Sequence, residues 1–210
     1  MKRLSVYSLI ILVGGIFIFS RCNSGQAGKG KEASDSTTTP AAVAFGGFES
    51  QVAWGKHLVA IGGCNDCHTP KKMGPNGPEN NMDLELSGNP SQVPPADVNR
   101  KEIESKGLLV GNSTFTSFVG PWGISYAANI TSDSTTGIGT WTFEQFKRVF
   151  KTGKFGGAPQ GRNVLPPMPW QGIGQMTDPE LEAVFAYLKS TKPVHNVVPS
   201  PQPPVLGVKK

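Results

Sequence analysis

Cys64-Asn65-Asp66-Cys67-His68 is the stretch from which the rest of this chain can be read. Two thiols separated by two residues can each form a thioether with one vinyl group of a haem, and the adjacent histidine then lies under the iron as its proximal ligand. Two other chemistries use the same thiols. A redox dithiol calls for a strand-to-helix setting and has no use for His68. A structural zinc site calls for a second cysteine pair or more histidines, and the chain has three Cys and three His in all. Cys22 stands at the end of an N-terminal apolar run, so Cys64 and Cys67 remain as one pair for one covalently attached haem.

A six-coordinate haem needs a second axial ligand, and thioether sulfur or imidazole nitrogen is the usual source. The candidates are His57, His195, Met73, Met82, Met168 and Met176. His195 falls in a proline-rich stretch with nothing evident to hold it, and His57 lies on a helix where a lone histidine is usually part-exposed. Met73 follows His68 too closely to reach the opposite haem face with ease. Met176 immediately precedes a helix and could pack on it as a staple. Met168 stands in Leu165-Pro166-Pro167-Met168-Pro169-Trp170, where prolines fix the backbone. Because the thioether–iron bond is weak, it gains most from a ligand held ready in place. Met168 is therefore the expected distal ligand.

Working outward, three segments carry helical signals, which predicts an all-α domain. The first spans about Phe48 to Ile61 and is interrupted by Gly55, which costs about 1 kcal/mol against alanine unless something packs closely there. The second is Phe143–Thr152, started by Thr142 with Gln145 and stopped by Gly153. The third follows Thr177 and Glu180, which have capping-box spacing; Leu181, Val184, Phe185 and Leu188 mark one face, and Pro193 bars its continuation. Lys71 to Val119 is rich in Gly, Pro, Asn and Ser, with one short strand expected around Leu108–Phe118.

The ends differ from the middle. Residues 1–21 have the plan of an export signal of the lipoprotein type: Lys2 and Arg3, an apolar run from Leu9 to Phe19, then Cys22 as the expected lipidation site. Arg21 replaces the small residue usually found before such a cysteine, so an uncleaved anchor or plain secretion are the alternatives. Residues 22–44 read as a flexible tether with a reach of about 25 Å, residues 45–192 as the haem-binding domain, and residues 193–210 as a proline-rich extended tail. The net charge of +5 resides in the ends: from Phe45 to Lys192 there are 13 basic and 13 acidic residues. That balance excludes a nucleic-acid surface.

The chain resembles the class I c-type cytochromes, most closely the haem domains of cytochrome subunits attached to alcohol and aldehyde dehydrogenases. The resemblance is carried by Gly62 to Pro70, Leu86-Ser87-Gly88-Asn89-Pro90, Gly120-Pro121-Trp122-Gly123, Asn129-Ile130-Thr131, Thr136 to Thr142, Leu165 to Trp170, and Met176-Thr177-Asp178 with the helix after it. It covers nearly all of 48–192. Those dehydrogenase subunits commonly carry two or three haems, and this chain has one attachment motif. The resemblance implies a class I cytochrome c fold, with three to four helices around one covalent haem and long loops between them. It also implies that the first and third helices cross at Gly55 against Tyr187, and that Met168 is the distal ligand.

For the haem pocket, Trp141, Arg162 and Asn129 are candidate propionate donors, and Trp170 is a candidate pocket wall, with core packing as the plainer role for both tryptophans. The second nitrogen of His68 should meet a backbone carbonyl, with Pro75 or Pro78 placed to offer one. His/Met ligation leaves no open iron site, so the expected function is one-electron transfer rather than catalysis. Its partners would be a donor and an acceptor redox protein, a dehydrogenase or a terminal oxidase among them. The protein would work on the periplasmic side of a bacterial membrane or at the cell surface, held by its N-terminal lipid or anchor. A haem enzyme or gas sensor with open iron, and a scaffold subunit without redox duty, are the rival readings.

Overall fold

A computed structural model of the chain describes residues 44–207. The expected export signal (1–21), Cys22 and all but the last residue of the expected tether (22–44) lie outside these residues.

The three expected helices form. Helix α1, Gln51–Ile61, starts three residues later than the apolar pattern suggested, because Ser50 caps it by accepting from the Ala53 amide at 3.1 Å. Next comes a single turn, α2, Cys64–His68. Helix α3, Arg100–Lys106, was not foreseen; Asn99 caps it and Gly107 ends it. Helix α4, Phe143–Thr152, has the expected bounds, with Thr142 and Gln145 reciprocally bonded as a capping box. A short α5, Trp170–Ile173, precedes α6, Asp178–Ser190, which carries the expected Thr177–Glu180 box.

Helices α1, α4 and α6 enclose the main core of Leu58, Val59, Leu86, Ile138, Phe146, Phe150, Leu181, Ala183, Val184 and Leu188. Phe146 of α4 lies 5.2 Å from Phe185 of α6, ring centre to ring centre. Helix α1 crosses α6 at Gly55, where an added Cβ would stand 1.8 Å from the Ala183 carbonyl oxygen and 2.8 Å from the Tyr187 Cβ. The glycine that weakens the isolated helix thus permits its closest packing.

The all-α expectation is corrected by five short strands among the described residues. Strands β1, Lys71–Gly74, and β2, Gly77–Asn80, form an antiparallel hairpin. The one strand expected over Leu108–Phe118 is instead two, β3, Val110–Gly111, and β4, Ser117–Gly120, folded against each other in register Val110 with Val119. Asn112 causes the reversal: its side-chain oxygen accepts from the Thr116 and Ser117 amides, closing the turn locally. Strand β5, Gly123–Tyr126, completes a three-stranded antiparallel sheet.

The proline-rich segment after α6 is extended, as expected, but it is bonded along its length. Asn196 donates to the Ser87 and Asn89 carbonyls, Gln202 bridges Ile124, and Glu104 accepts from the Val205 and Leu206 amides. His195, expected to have nothing near it, meets Thr135 at 3.1 Å.

Candidate haem site

The proximal half is built around α2. Its carbonyl end is gathered by one cation: the Lys71 ammonium donates to the Asn65, Asp66 and Thr69 carbonyls at 2.9, 3.0 and 3.0 Å. Thr69, fully buried, donates to the Asn65 side chain and accepts from the Leu86 amide. The segment Leu86 to Asn89 then runs between His68 and the chain after β5. Gly88 donates to the His68 carbonyl at 2.8 Å, Asn89 to that of Ala127, and Ile130 donates back to Leu86. Gly88 has φ +77°, and a Cβ there would stand 2.4 Å from the Ala127 oxygen, so both conformation and space require glycine.

This threading decides the orientation of His68. Its ring is buried, and Nδ1–H donates to the Ala128 carbonyl at 2.7 Å. The carbonyl is that of Ala128, correcting the expectation of Pro75 or Pro78, which instead lie exposed on the β1–β2 hairpin. Burial lowers the His68 pKa and outweighs the opposing effect of the carbonyl bond. A neutral imidazole with its proton fixed on Nδ1 keeps the Nε2 lone pair for a metal, the arrangement an axial iron ligand needs.

The two thiols behave unlike a reactive pair. Burial pushes Cys64 up to about 11, and burial likewise raises Cys67. A redox dithiol needs the opposite shift, toward thiolate. No group of three or more His, Cys, Asp or Glu side chains among the described residues could hold a metal ion by itself.

Of the candidates for the second ligand, Met73 and Met82 are 80% and 57% exposed, and His57 and His195 are also exposed. Among these candidates, only Met168 and Met176 pack against the main core, which Cys64, Trp141 and Trp170 also line. The Met168 loop is pinned from outside its own sequence. Ser125, buried on β5, donates from Oγ to the Pro166 carbonyl at 2.6 Å, and the Trp122 indole donates to Ser125 Oγ at 3.1 Å.

The remaining predicted pocket residues divide. Neither the Trp141 nor the Trp170 indole N–H has an acceptor among the described residues, while Trp170 also packs on Gly153 at the end of α4. Arg162 is exposed, with its guanidinium 4.0 Å from the centre of the Phe155 ring, which in turn meets Trp141 edge-on. Asn129 is bonded on both sides of its amide. It donates to Thr136 and to the Val194 carbonyl and accepts from Thr131, bracing the Ala128 segment and leaving no amide hydrogen for a propionate.

No family model matches the chain. Curated relatives do. Over 82 residues, 39% of this chain, it is 37% identical to a nicotinate dehydrogenase subunit of Pseudomonas putida. It is 34% identical over 40% of its length to the fructose dehydrogenase cytochrome subunit of Gluconobacter japonicus, and 34% over 39% to the gluconate 2-dehydrogenase cytochrome c subunit of Pantoea cypripedii. The chain is related to cytochrome c subunits of dehydrogenases. It spans only 7%, 17% and 17% of the lengths of these three relatives.

For a cytochrome c relative the implied cofactor is haem c, and the residues present fit it. A buried neutral imidazole with a fixed tautomer, two protonated thiols next to it and a core-packed methionine suit haem better than a bare metal ion. The same relationship is consistent with an electron carrier rather than a catalytic subunit. Sequence reasoning missed Gly88, Ala128, Ser125 and Lys71. Gly88 was within reach, since it sits in a motif already singled out. Nothing local marks a strand serine or a backbone carbonyl as part of a site.

Proposed function

We propose that this chain is a mono-haem c-type cytochrome that carries single electrons between redox proteins. Cys64 and Cys67 would hold the haem through thioethers, with His68 and Met168 as the two axial ligands. When bound, the haem supplies a one-electron change at iron. The residues around it supply the rest. Burial keeps His68 neutral, and the Ala128 carbonyl keeps it correctly turned. The prolines around Met168 limit what its sulfur must lose in freedom on binding. Packing of the half-buried Met168 and Cys64 against the core would limit water at the site and keep the surroundings alike in both oxidation states. The observation that carries this reading is the fixed His68 tautomer beside thiols held protonated by burial.

The relatives are subunits of dehydrogenases, which favours a dehydrogenase as electron donor, with a terminal oxidase or another carrier as acceptor. The N-terminal signal favours a site on the periplasmic face or cell surface, with lipidated Cys22 as anchor. A tether there would keep the cytochrome concentrated near membrane-bound partners.

An optical spectrum of the purified holoprotein tests the centre. The ferric form should show a far-red sulfur-to-iron band, and the reduced form should not shift under carbon monoxide. Met168→Ala should abolish the band and admit carbon monoxide. Ready carbon monoxide binding by the unsubstituted protein would overturn the proposal in favour of an open-iron enzyme or sensor. For the anchor, Cys22→Ala should move the protein from the membrane to the soluble fraction.

A further inference from the structure

The support for the two axial ligands converges on one stretch of chain that contains neither. From β5 onward, Ser125 and Ala128 are three residues apart, within about 10 Å of extended backbone. Ala128 accepts from His68, and Ser125 donates to Pro166, two residues before Met168. The stretch is itself well fixed. Strand β5 pairs with β4 from Ser117–Tyr126 to Gly120–Gly123, and Ala127 donates to the Thr116 carbonyl at 2.8 Å. Ile124 pairs with Gln202 on its other side.

By contrast, the Met168 loop has few bonds of its own. Met168 donates to Leu165 at 3.3 Å, and Trp170 donates to Met168 at 2.9 Å. Pro166, Pro167 and Pro169 have no amide hydrogen to offer, so at these three positions the backbone can be bonded only through carbonyls, and that of Pro169 already accepts from Gly172 and Ile173. Ser125 takes one of them. A serine hydroxyl can rotate freely; the Trp122 indole, donating to its oxygen, leaves the hydroxyl hydrogen to point at Pro166. The shared oxygen also makes each bond polarise the other.

We propose that Ser125, oriented by Trp122, is a positioning residue that holds the Met168 loop against the distal face and sets how readily the methionine sulfur leaves the iron. The inference rests on the His68/Met168 ligation proposed above. Its physical content is that an external ligand must break the Ser125–Pro166 bond, or strain it, before it can take the sulfur's place.

The test uses ferric holoprotein and added imidazole as the competing ligand. Ser125→Ala should bind imidazole about three- to ten-fold more tightly, the range that loss of one intramolecular hydrogen bond spans. It should also lose the far-red band at a lower temperature than the unsubstituted protein, while helix content by circular dichroism melts at nearly the same point. Ser125→Thr, which keeps the hydroxyl, should restore both readings. Trp122→Phe keeps an aromatic ring but removes the donor, and should move both readings part of the way. If Ser125→Ala fails to fold, Trp122→Phe decides alone.

Imidazole affinity within twofold of the unsubstituted protein in both variants, with unchanged band-loss temperature, overturns the role of Ser125. If Met168→Ala retains the far-red band, the ligation itself is wrong and this inference falls with it. Loss of the band in Met168→Ala with unaltered Ser125→Ala and Trp122→Phe variants removes the positioning role alone.

Discussion

The helical half of this domain and the looped half, from Lys71 to Thr131, are held by different forces. Around α1, α4 and α6 the buried side chains are almost all Leu, Val, Ile, Ala and Phe. In the looped half the fully buried side chains are largely polar: Ser87, Asn89, Thr116, Ser117 and Thr131, with Thr69 just before them, are each at most 1% exposed. Asn89 shows the style. It donates to the Pro90 and Val93 carbonyls and accepts from Thr116 and Asn112, standing in for a missing sheet ladder. The apolar cluster of this half, Ile103, Val119 and Ile124, is small. The lesson is that Cys64 packs against the apolar half, while the groups that orient His68 and the Met168 loop belong to the polar half. Rigidity of aim comes from directional bonds; stability comes from area.

Three experiments can break or sharpen this contrast. The largest effect is expected from Gly55→Ala. The added carbon would meet a backbone carbonyl at 1.8 Å, which cannot rotate away, so the holoprotein should lose about 3 kcal/mol or more of stability in denaturant unfolding. Near-native stability would mean that the helical half is looser than its packing indicates.

A matched pair comes next. Leu181 and Asn89 are both fully buried, one in each half. Leu181→Ala should cost about 3 kcal/mol through the cavity it leaves, and leave the His68 environment unchanged by NMR. Asn89→Ala should cost about 2 kcal/mol, because its former partners are left unpaired in the interior. It should also disturb the His68 signals, through the Ala127 bond next to Ala128. Equal costs with no effect on His68 in either variant would erase the distinction.

The smallest effect concerns pH. Glu104, its side chain 2% exposed, clamps the C-terminal segment through the Val205 and Leu206 amides. Burial works to raise its pKa, but those two amides and the Arg100 guanidinium outweigh it and hold the carboxyl below the usual range. A lowered folded value means the contribution is complete above the unfolded value of about 4.3 and fades as pH falls through the lower folded value. The protection of the Val205 and Leu206 amides, measured against unstructured amides at the same pH, should therefore fall as the pH drops through that lowered value while the α6 amides stay protected. Glu104→Gln should lower that protection at every pH and remove its dependence on the carboxyl. Parallel loss of α6 protection would show that the tail and the helical half are one cooperative unit.

How much of this was legible follows the same divide. Helices α4 and α6 could be placed to the residue or nearly so, because their caps and apolar spacing are local, and the Gly55 crossing followed from the resemblance. The strand over Leu108–Phe118 became a hairpin because Asn112 turns the chain with its own side chain, a bond that periodicity does not register. The chemistry proposed for the site rests on five contiguous residues, since two thiols and an imidazole at fixed spacing would carry it wherever they fold.

The sequence by itself determined the Cys64, Cys67 and His68 unit on which the proposed haem site rests, the three main helices, and the prolines that stiffen the Met168 loop. Only the tertiary structure decided that Ala128 receives the His68 proton, that Ser125 secures Pro166, and that Asn129 braces rather than offers a donor. The reason is physical: covalent spacing and helical periodicity act between neighbours in the chain. A hydrogen bond to a backbone carbonyl 60 residues away depends on no side chain at that position, and leaves no mark there until the chain has folded.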